Sequence, residues 1–190
     1  MRKIIFVWAV PLALLVTPAI AEPLVRVHTS YYYIDGPSAT VLAAQLDQNG
    51  PVGSDGKHYA GRTRWDIQWK FRSEQLGTAC SMKEVAVAVG IAQTLPRWRG
   101  EGKGASGLNG LWTRFIDALQ RHEDVHKEHG LKAGKEIEVA ALAVKPASNC
   151  EDLEAAGNAA AQAVIAKYKA LDEEYDRKTD HGRSQGATLL

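Results

Sequence analysis

The sequence predicts an α+β fold in which a small antiparallel sheet packs against two long C-terminal helices. Strand-like alternation is confined to the first half of the chain, where aromatic and β-branched residues recur at every second position. From residue 111 onward, apolar residues instead recur at steps of three and four, the spacing of a helix that buries one face. A group of strands followed by a group of helices indicates an α+β domain.

The first half of the chain divides into three strands and one short helix. "LVRVHTSYYYI" (24–34) is rich in β-branched and aromatic residues and predicts the first strand. A turn follows, and its Ser38 can cap a short helix over 39–49. Alternating aromatic residues predict a second strand over 58–72, and alternating valines predict its pairing partner over 83–98.

The second half of the chain predicts two long helices. Residues 99–110 are rich in glycine and basic, which indicates a flexible loop. One helix is predicted over 111–144, and Pro146 ends it because proline cannot continue a helix. A second helix is predicted from residue 150 to about Asp176, followed by a polar tail.

The first 21 residues have the layout of a secretory signal peptide. Arg2 and Lys3 precede a short apolar run, which closes on the small-x-small sequence AIA. Two prolines interrupt this run, and it is short for a membrane span. We therefore expect cleavage after Ala21, one mature domain over 22–190, and an exported location, periplasmic or secreted, with no transmembrane segment after cleavage.

Charge balance argues against nucleic acid and anionic membrane surfaces as partners. Removing Arg2 and Lys3 from the 23 basic residues leaves 21 against 22 acidic ones, a net charge near −1. A nucleic-acid-binding domain normally carries a clear excess of positive charge. The sequence does not define an oligomeric state.

Cys80 and Cys150 are the two cysteines of the chain. An even pair in an exported protein predicts a disulfide. By the chain-entropy argument, closing a loop of about 70 residues stabilises the fold by about 4 kcal/mol. A metal site built on two thiolates is the alternative, but the C-x-x-C spacing typical of such sites is absent.

The segment "RHEDVHKEHG" (121–130) holds three of the six histidines. His122, Glu123 and His126 form an H-E-x-x-H pattern, and the two histidines continue the apolar stripe of the predicted helix. A buried imidazole needs partners for both ring nitrogens, which a metal ion and one hydrogen-bond acceptor supply. Histidines four residues apart rise about 6 Å along a helix, so both rings can reach one Zn²⁺.

Glu123 and His129 have different predicted places at this site. One step round from His122, Glu123 can face water at the metal without ligating the metal, and can accept a proton from that water. His129 shares the helical face, but it lies about 10.5 Å from His122 along a straight helix, a poor fit to one tetrahedral ion. His129 is therefore predicted as an alternative ligand or as a contact of a ligand.

The third ligand is predicted in the C-terminal segment "EYDRKTDHG" (174–182). A helical hairpin can return this segment to the first long helix, and His181 would then complete a three-histidine site with one position left for water. Asp176 can orient a ligand imidazole, Asp180 is an alternative oxygen ligand, and Tyr175 can donate a hydrogen bond to a tetrahedral oxyanion. The alternative is a frayed polar C-terminus.

Four segments together resemble a known family: the signal peptide, the strand "RWDIQWKF", the H-E-x-x-H helix and the terminal "YDRKTDHG". They are similar to a family of bacterial predicted secreted zinc-dependent proteases, which is catalogued as a domain of unknown function. The resemblance spans roughly residues 25–186. "HEDVH" is shared with many metallohydrolases, whereas the "YD-x-x-T-x-HG" tail is more specific. The resemblance implies that His181 joins His122 and His126.

The sequence leaves three functions in competition. The leading expectation is an exported metallopeptidase that holds one Zn²⁺, acts on a peptide or protein substrate and uses Glu123 as general base. The second is a non-enzymatic periplasmic metal-binding or envelope interaction module with a structural metal, favoured by the small size and the lack of a readable edge strand. The third is a zinc amidase acting on cell-wall material. Imidazole ligands suit several divalent ions, so the sequence does not determine which metal is bound.

Overall fold

A computed structural model of the protein describes residues 22–190 and has the predicted α+β architecture. The predicted signal peptide, residues 1–21, lies outside the described residues. In chain order the elements are β1 (Leu24–Ile34), α1 (Ala39–Asn49), β2 (Arg62–Leu76), β3 (Ala79–Trp98), α2 (Ser106–Leu142), α3 (Cys150–Thr179) and a 3₁₀ turn (Arg183–Gln185).

The sheet has three strands in the order β1-β3-β2. β2 and β3 form the predicted antiparallel pair, and Gly77 in their tight connection has a φ of 61°, a conformation that glycine adopts without strain. β1, however, runs parallel to β3, so the sheet is mixed and the prediction of a wholly antiparallel sheet was wrong. The reason is that α1, a loop and β2 carry the chain back before β3 begins, which supplies the long crossover that parallel strands need.

The two long helices confirm the predicted helical pair. α2 begins at Ser106, inside the predicted loop 99–110, and α3 runs on to Thr179. Asn149 caps α3 by accepting a hydrogen bond from the Asp152 backbone N–H at 2.8 Å. Within residues 22–190, no helix combines the length and the apolar character needed to cross a membrane.

α2 lies directly on the sheet because two of its residues on that face lack a side chain. A Cβ added at Gly134 would come within 2.4 Å of Val89 Cγ2, and one added at Gly130 within 2.8 Å of Trp65 Cβ. One apolar cluster surrounds the first turns of α2 near Trp112, and a second lies between the rest of α2, α3 and the valines of β3. The histidine pair of α2 lies between these two clusters along the helix.

The predicted disulfide is present. Cys80, at the start of β3, is bonded to Cys150, the first residue of α3. The backbone of Cys80 also exchanges two hydrogen bonds with that of Ala147, at 2.7 and 3.0 Å. The start of α3 is therefore fixed to the sheet both covalently and by backbone pairing.

Candidate metal centre

His122 and His126 lie on the buried face of α2, as their place on the apolar stripe predicts. Their exposed fractions are only 3% and 6%. Their Nε2 atoms are 3.3 Å apart, and the two rings stand almost perpendicular, at 82°. Two imidazole nitrogens that face each other at this distance can share one proton or can both bind one cation.

Asp176 of α3 supplies a third donor atom. Its Oδ1 lies 3.1 Å from Nε2 of His122 and 2.9 Å from Nε2 of His126. Two imidazole nitrogens and one carboxylate oxygen thus lie within 4.8 Å of one another. This nitrogen and oxygen donor set suits Zn²⁺ and several other divalent ions, so the group can hold a metal ion.

The carboxylates around His126 create a strong preference for positive charge. Burial lowers the pKa of the His126 imidazole, but hydrogen bonds to Asp172 and Asp176 outweigh burial and raise this pKa to about 10. For Asp176, burial raises the carboxyl pKa, yet hydrogen bonds to His122 and His126 hold it well below its usual range. The site therefore attracts a cation, either a proton on His126 or a metal ion in its place.

Asp172 orients His126 from the side away from the other two donors. Since a carboxylate only accepts, Nδ1 of His126 donates to Oδ1 of Asp172 at 2.8 Å, which leaves Nε2 of His126 free to face Asp176 and a metal. Trp65 of β2 donates to Oδ2 of Asp172 at 2.8 Å. Asp172 thus joins α3, α2 and the sheet around one imidazole.

His129 also contacts Asp172, through its Nδ1 at 2.6 Å from Oδ1. His126, His129 and Asp172 form a second group of potential ligand atoms within 4.8 Å of one another. Towards Asp172, His126 presents its Nδ1, which is already hydrogen-bonded to that carboxylate. His129 was predicted as an alternative ligand or as a contact of a ligand; in the structure its Nδ1 contacts Asp172, which in turn contacts His126.

His122 is held in the same way by the C-terminal turn. Its Nδ1 lies 3.1 Å from Oε1 of Gln185, in the 3₁₀ segment. Tyr175 stacks on the His122 ring, with centroids 4.8 Å apart, and its hydroxyl donates to the same Gln185 oxygen at 3.1 Å. The hydroxyl predicted to contact a substrate oxyanion is therefore engaged with Gln185. Gln185 was not predicted as a site residue, because no local pattern connects it to the helix of His122.

Glu123 lies beside the three donor atoms with one oxygen unpaired. Its side chain is 3% exposed, and its Oε2 has no hydrogen-bond partner among the described residues. Burial raises the pKa of the Glu123 carboxyl, although the nearby Thr63 hydroxyl and His126 imidazole oppose this effect. A Cβ at Gly61 would lie 2.9 Å from Oε1 of Glu123, so the carboxylate fits because this position is glycine.

A cavity of about 490 Å³ opens in front of this group. His122, Glu123, His126 and Asp176 line one side of it, and the chain segment 61–64 lines another. This segment includes the start of β2, an outer strand of the sheet that the sequence did not reveal as an edge. Charged side chains also line the cavity: Asp55, Arg62, Arg64, Glu173 and Arg177.

His181 and Asp180 lie at the margin of the site. The His181 side chain is 41% exposed, its Nδ1 is 3.6 Å from Oδ2 of Asp176, and its ring packs against Tyr59 at 4.3 Å. Asp180 caps the end of α3 and faces Arg183 at 3.4 Å. Neither belongs to the groups of converging donor atoms found among residues 22–190. The ligand role of His181 stays a prediction.

The sequence does contain a signal for the two aspartates. Asp172 and Asp176 are four residues apart on α3, the same spacing as His122 and His126 on α2. Two such pairs on facing helices place four side chains at one level of a hairpin. Asp172 was missed because only the pairing of the helices shows which face of α3 meets α2.

Fold and site together define an α+β domain with buried histidine and aspartate side chains that can hold a metal ion. Residues 29–182 match the family described as "Bacterial protein of unknown function (DUF922)", and the chain belongs to this family. The match confirms the predicted membership in a bacterial domain family of unknown function. Comparisons with curated proteins and with solved structures find no match.

Proposed function

We propose that the protein is an exported, zinc-dependent metallopeptidase. One observation carries the proposal: Nε2 of His122, Nε2 of His126 and Oδ1 of Asp176 converge next to the buried carboxylate of Glu123, at the wall of an open cavity. Zn²⁺ in such a site lowers the pKa of water and polarises a carbonyl oxygen.

In this proposal Asp176 is the third ligand. Its carboxylate oxygen already lies about as close to both imidazole nitrogens as they lie to each other. The three-histidine alternative would require the ring of His181 to leave Tyr59 and move from the rim of the cavity towards the two other histidines. Asp172 and Gln185 then hold the two ligand imidazoles by their Nδ1 atoms, so each Nε2 points inward.

Glu123 acts as the proton carrier. Its carboxylate takes a proton from the water that attacks the peptide carbonyl carbon, and it gives that proton to the departing amine as the C–N bond breaks. Two features support this role: the unpaired Oε2 leaves an acceptor available, and burial raises the carboxyl pKa towards the range useful for proton transfer.

The edge of β2 supports a polypeptide as substrate. An outer strand offers backbone N–H and C=O groups with which an extended peptide can pair. The start of β2 lines the cavity next to Glu123, so a peptide paired there would pass in front of the histidines. A muropeptide could pair with this edge only through its short peptide portion. A structural metal site would not require a strand edge beside it.

The proposal is tested on the mature chain, residues 22–190, purified with and without the Glu123→Gln change. We expect one zinc ion per chain in both proteins by elemental analysis. Hydrolysis of unfolded casein should fall at least ~100-fold in the variant, the usual range for loss of a general base. Full activity in Glu123→Gln would refute the mechanism, and a wild-type chain that holds zinc but cleaves no peptide would point to the structural-metal alternative.

Two further measurements address the ligands and the export step. A His122→Ala/His126→Ala double variant that still bound stoichiometric zinc would refute the metal site itself. For export, the full-length protein is expressed in a Gram-negative host and its periplasmic fraction is sequenced from the N-terminus. We expect Glu22 as the first residue, and retention of residue 1 in the cytoplasm would contradict the exported location.

A further inference from the structure

The two outer strands of the described sheet, β1 and β2, differ in the sequence features that prevent an edge strand from pairing with another chain. Edge strands normally avoid pairing with other chains by carrying charges or a bulge. Beyond the part that lines the cavity, β2 has both: a register shift between Arg72 and Ser73, and charged residues at alternate positions from Lys70 to Glu74. β1 has one permanently charged residue, Arg26, in eleven positions.

One face of β1 carries a row of exposed apolar side chains. Val25, Val27, Tyr31 and Tyr33 are 43%, 52%, 42% and 53% exposed. Their odd numbering places all four on the same side of the strand. Within residues 22–190, β1 pairs with β3 alone, so the backbone groups along its outer edge have no strand beside them. An apolar edge of this length is a template for another strand.

We propose that this edge binds the same edge of a second copy of the chain. The two β1 strands run antiparallel across a two-fold axis at Thr29, which joins two three-stranded sheets into one of six strands. In this register Val27 lies opposite Tyr31 of the partner subunit, and Val25 lies opposite Tyr33 of the partner subunit. Pairs of β-branched and aromatic residues directly opposite each other stabilise antiparallel strands.

The sequence of β1 favours this register over its neighbours. Only an axis at Thr29 pairs all four exposed apolar residues with one another; moving the axis by one residue leaves part of the row opposite other residue types. Arg26 then lies opposite Tyr32 of the partner subunit, and His28 lies opposite Ser30 of the partner subunit. No like charges meet, so the charge pattern of β1 is compatible with pairing to itself.

Two arginines hold the tyrosines of this edge in place. The guanidinium of Arg97 lies 3.7 Å from the ring centroid of Tyr31, and that of Arg99 lies 5.3 Å from the ring of Tyr33. Rings that are already fixed lose less conformational freedom on association. Tyrosine and arginine are also the residue types that dominate binding energy at protein interfaces. The inference is independent of the proposed peptidase, whose cavity lies on the β2 side of the sheet.

A cysteine placed on the axis tests the register. The two native cysteines are paired with each other, so one introduced cysteine is the only free thiol. Thr29→Cys should form a covalent dimer under oxidised glutathione, because opposite Cα atoms in antiparallel strands lie about 4.5–5.5 Å apart. The matched control is Arg26→Cys. Its two copies would lie six residues apart along the strands, about 20 Å, and should not form a disulfide.

The oligomeric state is measured on the mature chain by light scattering at 100 µM. We expect the mass of a dimer for the wild type and for Gln68→Lys, which adds a positive charge to the exposed face of β2 instead. Val27→Lys/Tyr31→Lys should have the mass of a monomer. A monomeric wild type, a double variant that stays dimeric, or an Arg26→Cys protein that cross-links as readily as Thr29→Cys would each overturn the proposal.

Discussion

Nε2 of His126 lies 2.9 Å from Oδ1 of Asp176, fifty residues further along the chain. This contact joins the two long helices at the level of the H-E-x-x-H pattern. On the other side of the same ring, Asp172 accepts from Nδ1 of His126 at 2.8 Å. One imidazole is therefore held between two carboxylates of α3, so the packing of α2 on α3 and the assembly of the candidate metal centre depend on the same residues.

The identity of the third ligand gives the first prediction. Asp176→Asn should weaken zinc binding by more than the 10–100-fold typical of losing a ligand's hydrogen-bond partner, because it removes a ligand itself. His181→Ala should change zinc affinity only a few-fold, since the ring lies at the rim of the cavity and packs on Tyr59. Competition with a zinc-binding dye at pH 7 measures both. A larger loss of zinc affinity in His181→Ala than in Asp176→Asn would instead support the three-histidine site.

Asp172 gives the second prediction. Asp172→Asn keeps the shape of the side chain but removes the charge that fixes the His126 ring, so zinc affinity should fall 10–100-fold. His129→Ala is the matched control because His129 contacts the same oxygen of Asp172. Near-wild-type zinc affinity in His129→Ala is expected if His129 only supports Asp172. A loss as large as that of Asp172→Asn would make His129 a ligand.

Local pattern was sufficient to predict most of the fold. β1 and α1 have the predicted bounds because alternation and a serine cap are properties of short segments. The direction of β1 was not predictable in this way, since it depends on how α1 and β2 return the chain. The start of α2 was misplaced because its first residues, Ser106 and Gly107, resemble the preceding loop.

The site residues also differ in whether local sequence was sufficient to predict them. His122, Glu123 and His126 share one helical turn, so their spacing alone places them together. Asp172 and Gln185 reach the site only through the packing of α3 and the turn after it. The spacing of Asp172 and Asp176 shows only that they share a helical face, and no local pattern marks Gln185. Asp176 was expected to orient an imidazole or to replace a ligand, but its approach to both Nε2 atoms required the helix pairing.

Close packing of α2 on the sheet gives the third prediction. Gly134→Ala should lower the free energy of unfolding by about 1–3 kcal/mol, because the added methyl would lie 2.4 Å from Val89 Cγ2 and must push the helix or the valine aside. Gly107→Ala in the same helix meets no atom within 4 Å and should raise stability by up to about 1 kcal/mol. Urea denaturation followed by circular dichroism measures both; equal effects would contradict the packing argument.

Removal of the Cys80–Cys150 disulfide gives the fourth prediction. The bond closes a separation of 70 residues, so a Cys80→Ala/Cys150→Ala variant should lose about 4 kcal/mol of unfolding free energy. With a typical urea slope of about 2 kcal/mol/M, the denaturation midpoint should fall by about 2 M.

Zinc affinity should survive this change as long as the chain stays folded. Asp172 lies 22 residues beyond Cys150 on α3, about 33 Å along the helix, and the contacts that orient His126 do not involve the disulfide. Zinc titration in the absence of urea should therefore give the wild-type dissociation constant within a few-fold. A parallel loss of zinc affinity and stability would show instead that the disulfide sets the register of α3 against α2, and with it the position of Asp176 opposite His122.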